Sequence, residues 1–307
     1  MKFSNLYIGT LSGTSADSID AALFELGKKI NLVGSASKKI PENLKSEITK
    51  LSNTQKNLND YPTKSLIKLD ESFALETANL INKLLTKLNI NKNLVHAIGS
   101  HGQTIQHFPR IDKPYSLQIG NPRIISKVTG IKTVGNFRKA NIEHGGIGAP
   151  LTPAFHKEIF FSKKLNRVII NIGGITNITR LIPGKKIIGW DSGPGNCMID
   201  QCVKEFSSNK MQFDDKGRIA KKGNANSLIK EINKVLSMSY FQENLPKSQS
   251  TINFNFNKLS KSNLNKYSFA DWAAAMTEIT ALSIVKDVDK FCNCLLYTSP
   301  SPRDLSE

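Results

Sequence analysis

Trp190-Asp191-Ser192-Gly193-Pro194-Gly195-Asn196 places one carboxylate on a glycine-rich turn behind two runs of strand-forming residues. Upstream, Ser12-Gly13-Thr14-Ser15-Ala16-Asp17-Ser18-Ile19-Asp20 is a second glycine-flanked polar turn, also directly behind a strand. Glycine lets backbone N–H groups approach phosphate oxygens closely, and hydroxyls add further donors. Two such turns suit a protein that holds a phosphate chain between two lobes, with an α/β architecture around them.

Working outward, Tyr7–Thr10 reads as the strand entering the first turn and Ala21–Leu26 as the strand returning from it. Leu66–Leu88 reads as a helix, because Ala74, Ala78, Ile81, Leu85 and Leu88 recur at spacings of four and three, the stripe of a core-facing helix. The β-branched run Arg167–Asn171, broken by Gly173-Gly174 and resumed at Ile175–Leu181, predicts a hairpin. Ile187–Trp190 predicts the next strand, with Asp191 at its end and Gly193, Pro194 and Gly195 turning the chain into a helix around Met198–Phe206. Ser268 and Asp271 form a capping pair for a long helix over Ser268–Phe291.

Between these elements, Gly99–Thr104, His107, Gln118–Pro122, Gly135–Arg138 and Gly145–Pro150 are rich in Gly, Asn, Gln and His. They read as loops lining a cleft for a polyhydroxylated ligand. His101 lies between glycines and is a candidate lining residue; His96 and His156 read as structural.

Bulk properties narrow the class. The chain of 307 residues can bury a sizeable core in two domains. Its apolar runs are too short to cross a membrane, and residues 1–13 lack the apolar core of a secretory signal. Four cysteines without framework spacing fit a reducing cytoplasm, and Cys197/Cys202 and Cys292/Cys294 lack zinc spacing. The formal charge of +17 comes from dispersed lysines among Asn and Ile, which favours a solvated surface over a nucleic-acid groove.

At Ser12–Asp20, Gly99–Thr104, Gln118–Pro122, Phe137-Arg138, Gly148–His156, Asn171–Asn177 and Asp191–Asn196 the chain resembles the anhydro-N-acetylmuramic acid kinases of the actin-like, hexokinase-like and Hsp70-like ATPase superfamily. Phe213-Asp214, Gly217 and Pro246-Lys247-Ser248 also fit. The resemblance implies a two-lobed actin-like (ribonuclease H-like) α/β fold with ATP in the cleft. Residues 1–133 would be the first lobe and 134–293 a second, incomplete one. It also implies a small-molecule reaction without nucleic acid or membrane: 1,6-anhydro-N-acetylmuramic acid takes water at C1 while O6 takes the γ-phosphoryl group, in the cytoplasm and with room for a homodimer. Asp191 matches the family's catalytic base. Gly13, Thr14, Ser15, Ala16, Asp17, Ser18, Ile19 and Asp20, with Gly173, Gly174 and Asn177, would grip ATP from opposite sides, and Asp17 would orient Mg²⁺ through water. His101, Gln103, Gln118, Asn121 and Arg138 would face the sugar; the Arg138 guanidinium suits its lactyl carboxylate or the phosphates.

The chain departs from the family pattern at Ser18 (usually glycine), Asn136 and Asn141 (usually aspartate), Ile147 (usually glutamine) and Gln249–Ile252. These departures bear on affinity and exact substrate. Residues 294–307 have an unrelated composition, and Cys294–Asp304 matches the in-frame translation of a transposase sequencing adaptor, so this tail is expected to be non-native. Two other readings use the same residues: an inactive truncated or non-catalytic sugar- or nucleotide-binding protein of this fold, and, on charge alone, a basic nucleic-acid-binding protein.

Overall fold

The computed structural model describes residues 5–13, 16–52, 63–108, 114–249 and 251–292. Thr14 and Ser15 of the first turn, and the 294–307 tail, lie outside the described residues. The chain divides into two compact units, 1–148 and 149–307. The division falls after residue 148 rather than 133, because the Phe137 ring lies against Gly99 and Arg138 bonds to His101 and to the Gly148 carbonyl.

In the first unit, strands β1 (Leu6–Ser12), β2 (Ser18–Leu26) and β3 (Ile30–Lys39) form an antiparallel meander. β4 (Val95–Ser100) and β7 (Thr133–Val134) add in parallel on the β1 side, giving the order β3-β2-β1-β4-β7. A three-strand meander extended in parallel from its first strand is the ribonuclease H-like sheet of the actin-like ATPases. A separate hairpin pairs β5 (Gln103–Phe108) with β6 (Tyr115–Ile119). The polar stretch expected as loops is partly strand: β4 ends at Ser100, Gln103, Thr104 and His107 lie on β5 and Gln118-Ile119 on β6, whereas His101-Gly102, Gly120-Asn121, Gly135-Asn136 and Gly145–Pro150 are loop or turn.

Helices α1 (Glu42–Ser52) and α2 (Thr63–Lys87) supply most of the helical side of that core. Ala74, Ala78, Ile81 and Leu85 are buried and Leu88 packs against them, so the predicted stripe is the packed face. Two shorter helices follow, α3 (Pro122–Thr129) and α4 (Phe137–Glu143).

The second unit begins with α5 (Pro153–Phe160) and a meander of β8 (Arg167–Ile172), β9 (Ile175–Leu181) and β10 (Ile188–Pro194). The predicted Gly173-Gly174 hairpin forms, with Ile172 opposite Thr176 and Arg167 opposite Leu181. Then come α6 (Cys197–Phe206), α7 (Ile229–Leu236), α8 (Phe256–Ser260) and α9 (Phe269–Phe291). The Ser268 hydroxyl accepts the Asp271 N–H at 3.1 Å, so the predicted cap starts α9. α9 packs Ile284 and Val288 against Ile178 and Trp190, and Trp272, Met276 and Ile279 against α6 and α7.

In the second unit, β10 differs from expectation. β10 runs past Asp191 to Pro194, with Gly193 opposite Thr176 and Pro194 opposite Ile175. Asp191 is thus inside the strand and not at its end. A register shift at Ser192 accommodates this, and the Ser192 hydroxyl donates to the Ser283 carbonyl at 2.9 Å, drawing the bulge toward α9.

Candidate active site

In the first unit, the turn between β1 and β2 is tied at its neck. The Ser12 hydroxyl lies 2.8 Å from the Ser18 carbonyl and 2.6 Å from Gln103 Oε1, and the Ala16 N–H donates to the Gly13 carbonyl at 3.0 Å. Ala16 adopts φ +51°, and its side chain is buried. Gln103 is fully buried, and its Nε2 donates to the Thr104 carbonyl, so it braces the turn from behind. The Asp17 carboxylate is 63% exposed, with Lys45 Nζ 2.5 Å from Oδ1. Ile19 points into the core, whereas Asp20 is exposed on β2, where the Ser18 hydroxyl approaches it.

The same unit holds a pocket of 440 Å³ lined by Asp70, Ser100, His101, Gln118, Asn121 and Arg123, among others. Asn121 Oδ1 accepts the Arg123 N–H at 3.0 Å and caps α3. Gln118 Nε2 donates to the Ser116 hydroxyl at 2.7 Å. Gly102, at φ +70°, could not carry a side chain, because a Cβ would sit 2.2 Å from the Ile119 carbonyl oxygen. Asp70 was not singled out from the sequence; its carboxylate accepts the Gly120 N–H at 2.7 Å and fixes the end of β6. The only signal for it was a polar residue next to the buried Leu69 on α2.

His101 is held in one tautomer. Arg138 Nε donates to its Nε2 at 3.0 Å, so its Nδ1 carries the proton toward the Gly102 carbonyl. Burial first, and the Arg138 charge second, hold His101 and His107 down to about 4. Among the described residues, the ring nitrogens of His107 have no hydrogen-bond partner. Arg138 Nη1 donates to the Gly148 carbonyl at 2.9 Å, while Asn141 Oδ1 accepts the Gly148 N–H at 2.8 Å. Arg138 therefore organises the edge of this unit through His101 and the Gly145–Gly148 turn.

In the second unit, the tip of the glycine hairpin is clamped to the start of α6. The Gly173 carbonyl accepts the Asn196 N–H at 2.8 Å, and the Gly174 carbonyl accepts the Gly195 N–H at 2.9 Å. Only glycine fits at 195, where a Cβ would lie 2.2 Å from the Gly173 oxygen. At the feet of the hairpin, Asn171 lies opposite Asn177, and Asn177 lies opposite Asp191 across β9 and β10.

Asp191 is 4% exposed, and donors converge on it. Asn177 Nδ2 donates to Oδ1; the Ser248 hydroxyl and the Gln249 N–H donate to Oδ2 at 2.6 and 2.9 Å. Its backbone is held as well: the Asp191 N–H donates to the Lys247 carbonyl at 3.0 Å, and the Tyr240 hydroxyl donates to the Asp191 carbonyl. A carboxylate gripped in this way presents a fixed acceptor, the arrangement that a positioned proton acceptor needs. Gln249 enters through its backbone N–H, which any residue but proline supplies, so the departure at Gln249–Ile252 leaves this shell intact. Tyr240 and Asp287 carried no sequence signal, since their partners are 49 and 97 residues away.

Among the described residues, no group of three or more His, Cys, Asp or Glu side chains could hold a metal ion. The exposed Asp17, engaged by Lys45, fits a Mg²⁺ ion carried by phosphates and water rather than by a protein cage.

The family model for anhydro-N-acetylmuramic acid kinase matches residues 5–295. The chain belongs to the anhydro-N-acetylmuramic acid kinase family. It is 37% identical over 289 residues to the anhydro-N-acetylmuramic acid kinase of Shewanella denitrificans, covering 92% of this chain and 76% of that one. To the kinase of the same name from Coxiella burnetii it is 38% identical over 283 residues, covering 91% and 73%. Among solved structures, component A of the Acidaminococcus fermentans (R)-2-hydroxyglutaryl-CoA dehydratase aligns over 92% of this chain and 99% of that one, at 8% identity and a TM-score of 0.36. The Asp191–Asn196 and Pro246-Lys247-Ser248 stretches lie far apart in sequence. Their residues meet at one carboxylate.

Proposed function

We propose that this chain is an ATP-dependent kinase that opens 1,6-anhydro-N-acetylmuramic acid with water and phosphorylates O6, giving N-acetylmuramic acid 6-phosphate and ADP. The anhydro sugar has no free 6-hydroxyl, because O6 is bonded to C1. Water must add at C1 as the C1–O6 bond breaks, and O6 then takes the γ-phosphoryl group. The water proton goes to Asp191, and the observation that carries this assignment is the fixed, donor-gripped Asp191 carboxylate.

In this reading, Gly13–Asp20 and the Gly173-Gly174 hairpin with Asn177 serve the phosphates of ATP. Mg²⁺, when bound, neutralises charge on those phosphates, with Asp17 orienting its waters. His101, Gln118 and Asn121 line the sugar pocket, and Gln103 and Arg138 hold its walls. A cytoplasmic setting and a homodimer go with the reading. Among the described residues, no helix is long and apolar enough to cross a membrane.

Turnover in ¹⁸O-water tests the reaction: the label must appear on the C1 hydroxyl, and product without label would overturn the hydrolytic step. Asp191→Asn tests the base: turnover should be lost while ATP binding stays within a few fold. Unchanged turnover would remove Asp191 from the mechanism.

A further inference from the structure

Beneath Asp191 lies a charged pair that the reaction does not touch. Lys247 Nζ is 2.8 Å from Asp287 Oδ1, and both side chains are fully buried. The second Asp287 oxygen accepts the Trp190 indole N–H at 2.9 Å. Lys247 also lies over the Tyr240 ring, 4.8 Å from its centroid. A buried ion pair commonly gains little stability over an apolar pair of the same shape, because both charges must leave water. Its use is better sought in what it holds in place.

Lys247 and the pair's two neighbours, Trp190 and Tyr240, all meet the Asp191 backbone. Trp190 is its neighbour in β10. Lys247 supplies the carbonyl that accepts the Asp191 N–H, and Tyr240 donates its hydroxyl to the Asp191 carbonyl. Lys247 is also followed directly by Ser248 and Gln249, which both donate to Asp191 Oδ2. A slip of this short segment by one residue would replace the Ser248 hydroxyl with another group at the carboxylate. The charge-assisted Lys247–Asp287 contact ties this segment to α9 at the residue next to Ser248.

We infer that the buried Lys247–Asp287 pair is a positioning device, anchoring segment 247–249 to α9 so that Ser248 and Gln249 hold Asp191 in its working orientation. The inference rests on Asp191 being the base of the proposed reaction. It makes Asp287 and Lys247 positioning residues, remote from the substrate.

The test is the neutral pair Lys247→Met with Asp287→Asn in the 307-residue chain. These side chains keep the volume, and the amide oxygen that Asp287→Asn introduces can still accept the Trp190 N–H. Expected are a cooperative melt near that of the parent, a kcat at least tenfold lower, KM values for sugar and ATP within twofold, and Gln249 amide exchange at least tenfold faster. A folded neutral pair with kcat within twofold of the parent, or with unchanged Gln249 exchange, overturns the inference. If the double variant does not fold, Asp287→Asn alone decides: its kcat loss should be non-additive with that of Ser248→Ala, and additivity overturns the inference. Failure of both to fold also overturns it, by making the pair a stability element. A parent chain that exchanges as expected but does not turn over the anhydro sugar would sink the kinase reading and leave the anchoring of the segment standing.

Discussion

Asp17 and Asp191 each belong to a three-strand meander with a glycine-rich hairpin, and the two units treat them differently. Asp17 follows β1 on an exposed turn, and its described ion pair is with the flexible Lys45. Asp191 sits inside β10, buried, with side-chain and backbone donors from β9 and segment 247–249. An exposed carboxylate can follow a mobile ligand such as a hydrated phosphate chain. A buried one has a single orientation and can meet a reacting atom only where the fold puts it. The sequence motifs are similarly polar; the difference comes from what packs behind them.

The comparison predicts unequal losses. Asp191→Asn should lower kcat by about 10²–10⁴-fold, the range for removing a general base, with little change in KM. Asp17→Asn should shift the Mg²⁺ dependence and cost about tenfold or less, since an exposed, solvent-screened carboxylate contributes little. Steady-state kinetics of both variants across a Mg²⁺ titration checks this, and equal kcat losses would erase the distinction between the two carboxylates.

Acid should separate the units next. His101 and His107 belong to the first unit and are held down to about 4, by burial first and by Arg138 second, from an ordinary 6.5. Between those values the unfolded chain binds more protons than the folded one. Their contribution is therefore fully present above pH 6.5, is lost as pH falls toward 4, and levels off below it. The shift corresponds to roughly 3 kcal/mol for each imidazole. Amide exchange at pH 7 and pH 4.5 should show α2 losing protection more steeply than α9, because in the second unit His156, on α5, is lowered by burial alone. His107→Leu should flatten the α2 response.

Much of this was legible from local signals. The α2 stripe, the Gly173-Gly174 hairpin and the Ser268 cap lie in contiguous sequence, and all three formed as predicted. The extent of β10 was not legible, because Gly193-Pro194 carries turn chemistry. The Ser192 bulge, secured by Ser283 91 residues away, lets the strand continue through it. The resemblance makes Gln103 and Arg138 sugar-facing. In the fold their atoms meet Ser12, Thr104, His101 and Gly148, partners that only the tertiary structure selects. Residue type showed that the site is polar, and packing decides which polar groups face inward.

Within the second unit, Ser248→Ala sharpens the contrast. It removes a 2.6 Å bond to an ionised acceptor while the Gln249 N–H remains. Hydrogen bonds to charged groups contribute about 1.5–3 kcal/mol, so kcat should fall about ten- to a hundredfold if the bond orients Asp191. Ser248→Thr should restore most of it, and a kcat insensitive to both changes would make the contact incidental.

The smallest expected effect divides two roles of one residue. Asn121 lines the pocket of the first unit and also caps α3 through Oδ1. Asn121→Ala should cost about 1 kcal/mol of stability, as loss of an N-cap does, and raise the sugar KM. Asn121→Asp retains the capping oxygen and adds negative charge at a helix N-terminus, so stability should return to that of the parent. Its replacement of an amide donor by a second acceptor cannot restore a bond from Nδ2 to a sugar oxygen. Recovery of stability without recovery of KM would assign Asn121 to the ligand as well as to the helix. Recovery of both would leave it a cap alone, and the pocket would owe its sugar contacts to His101 and Gln118.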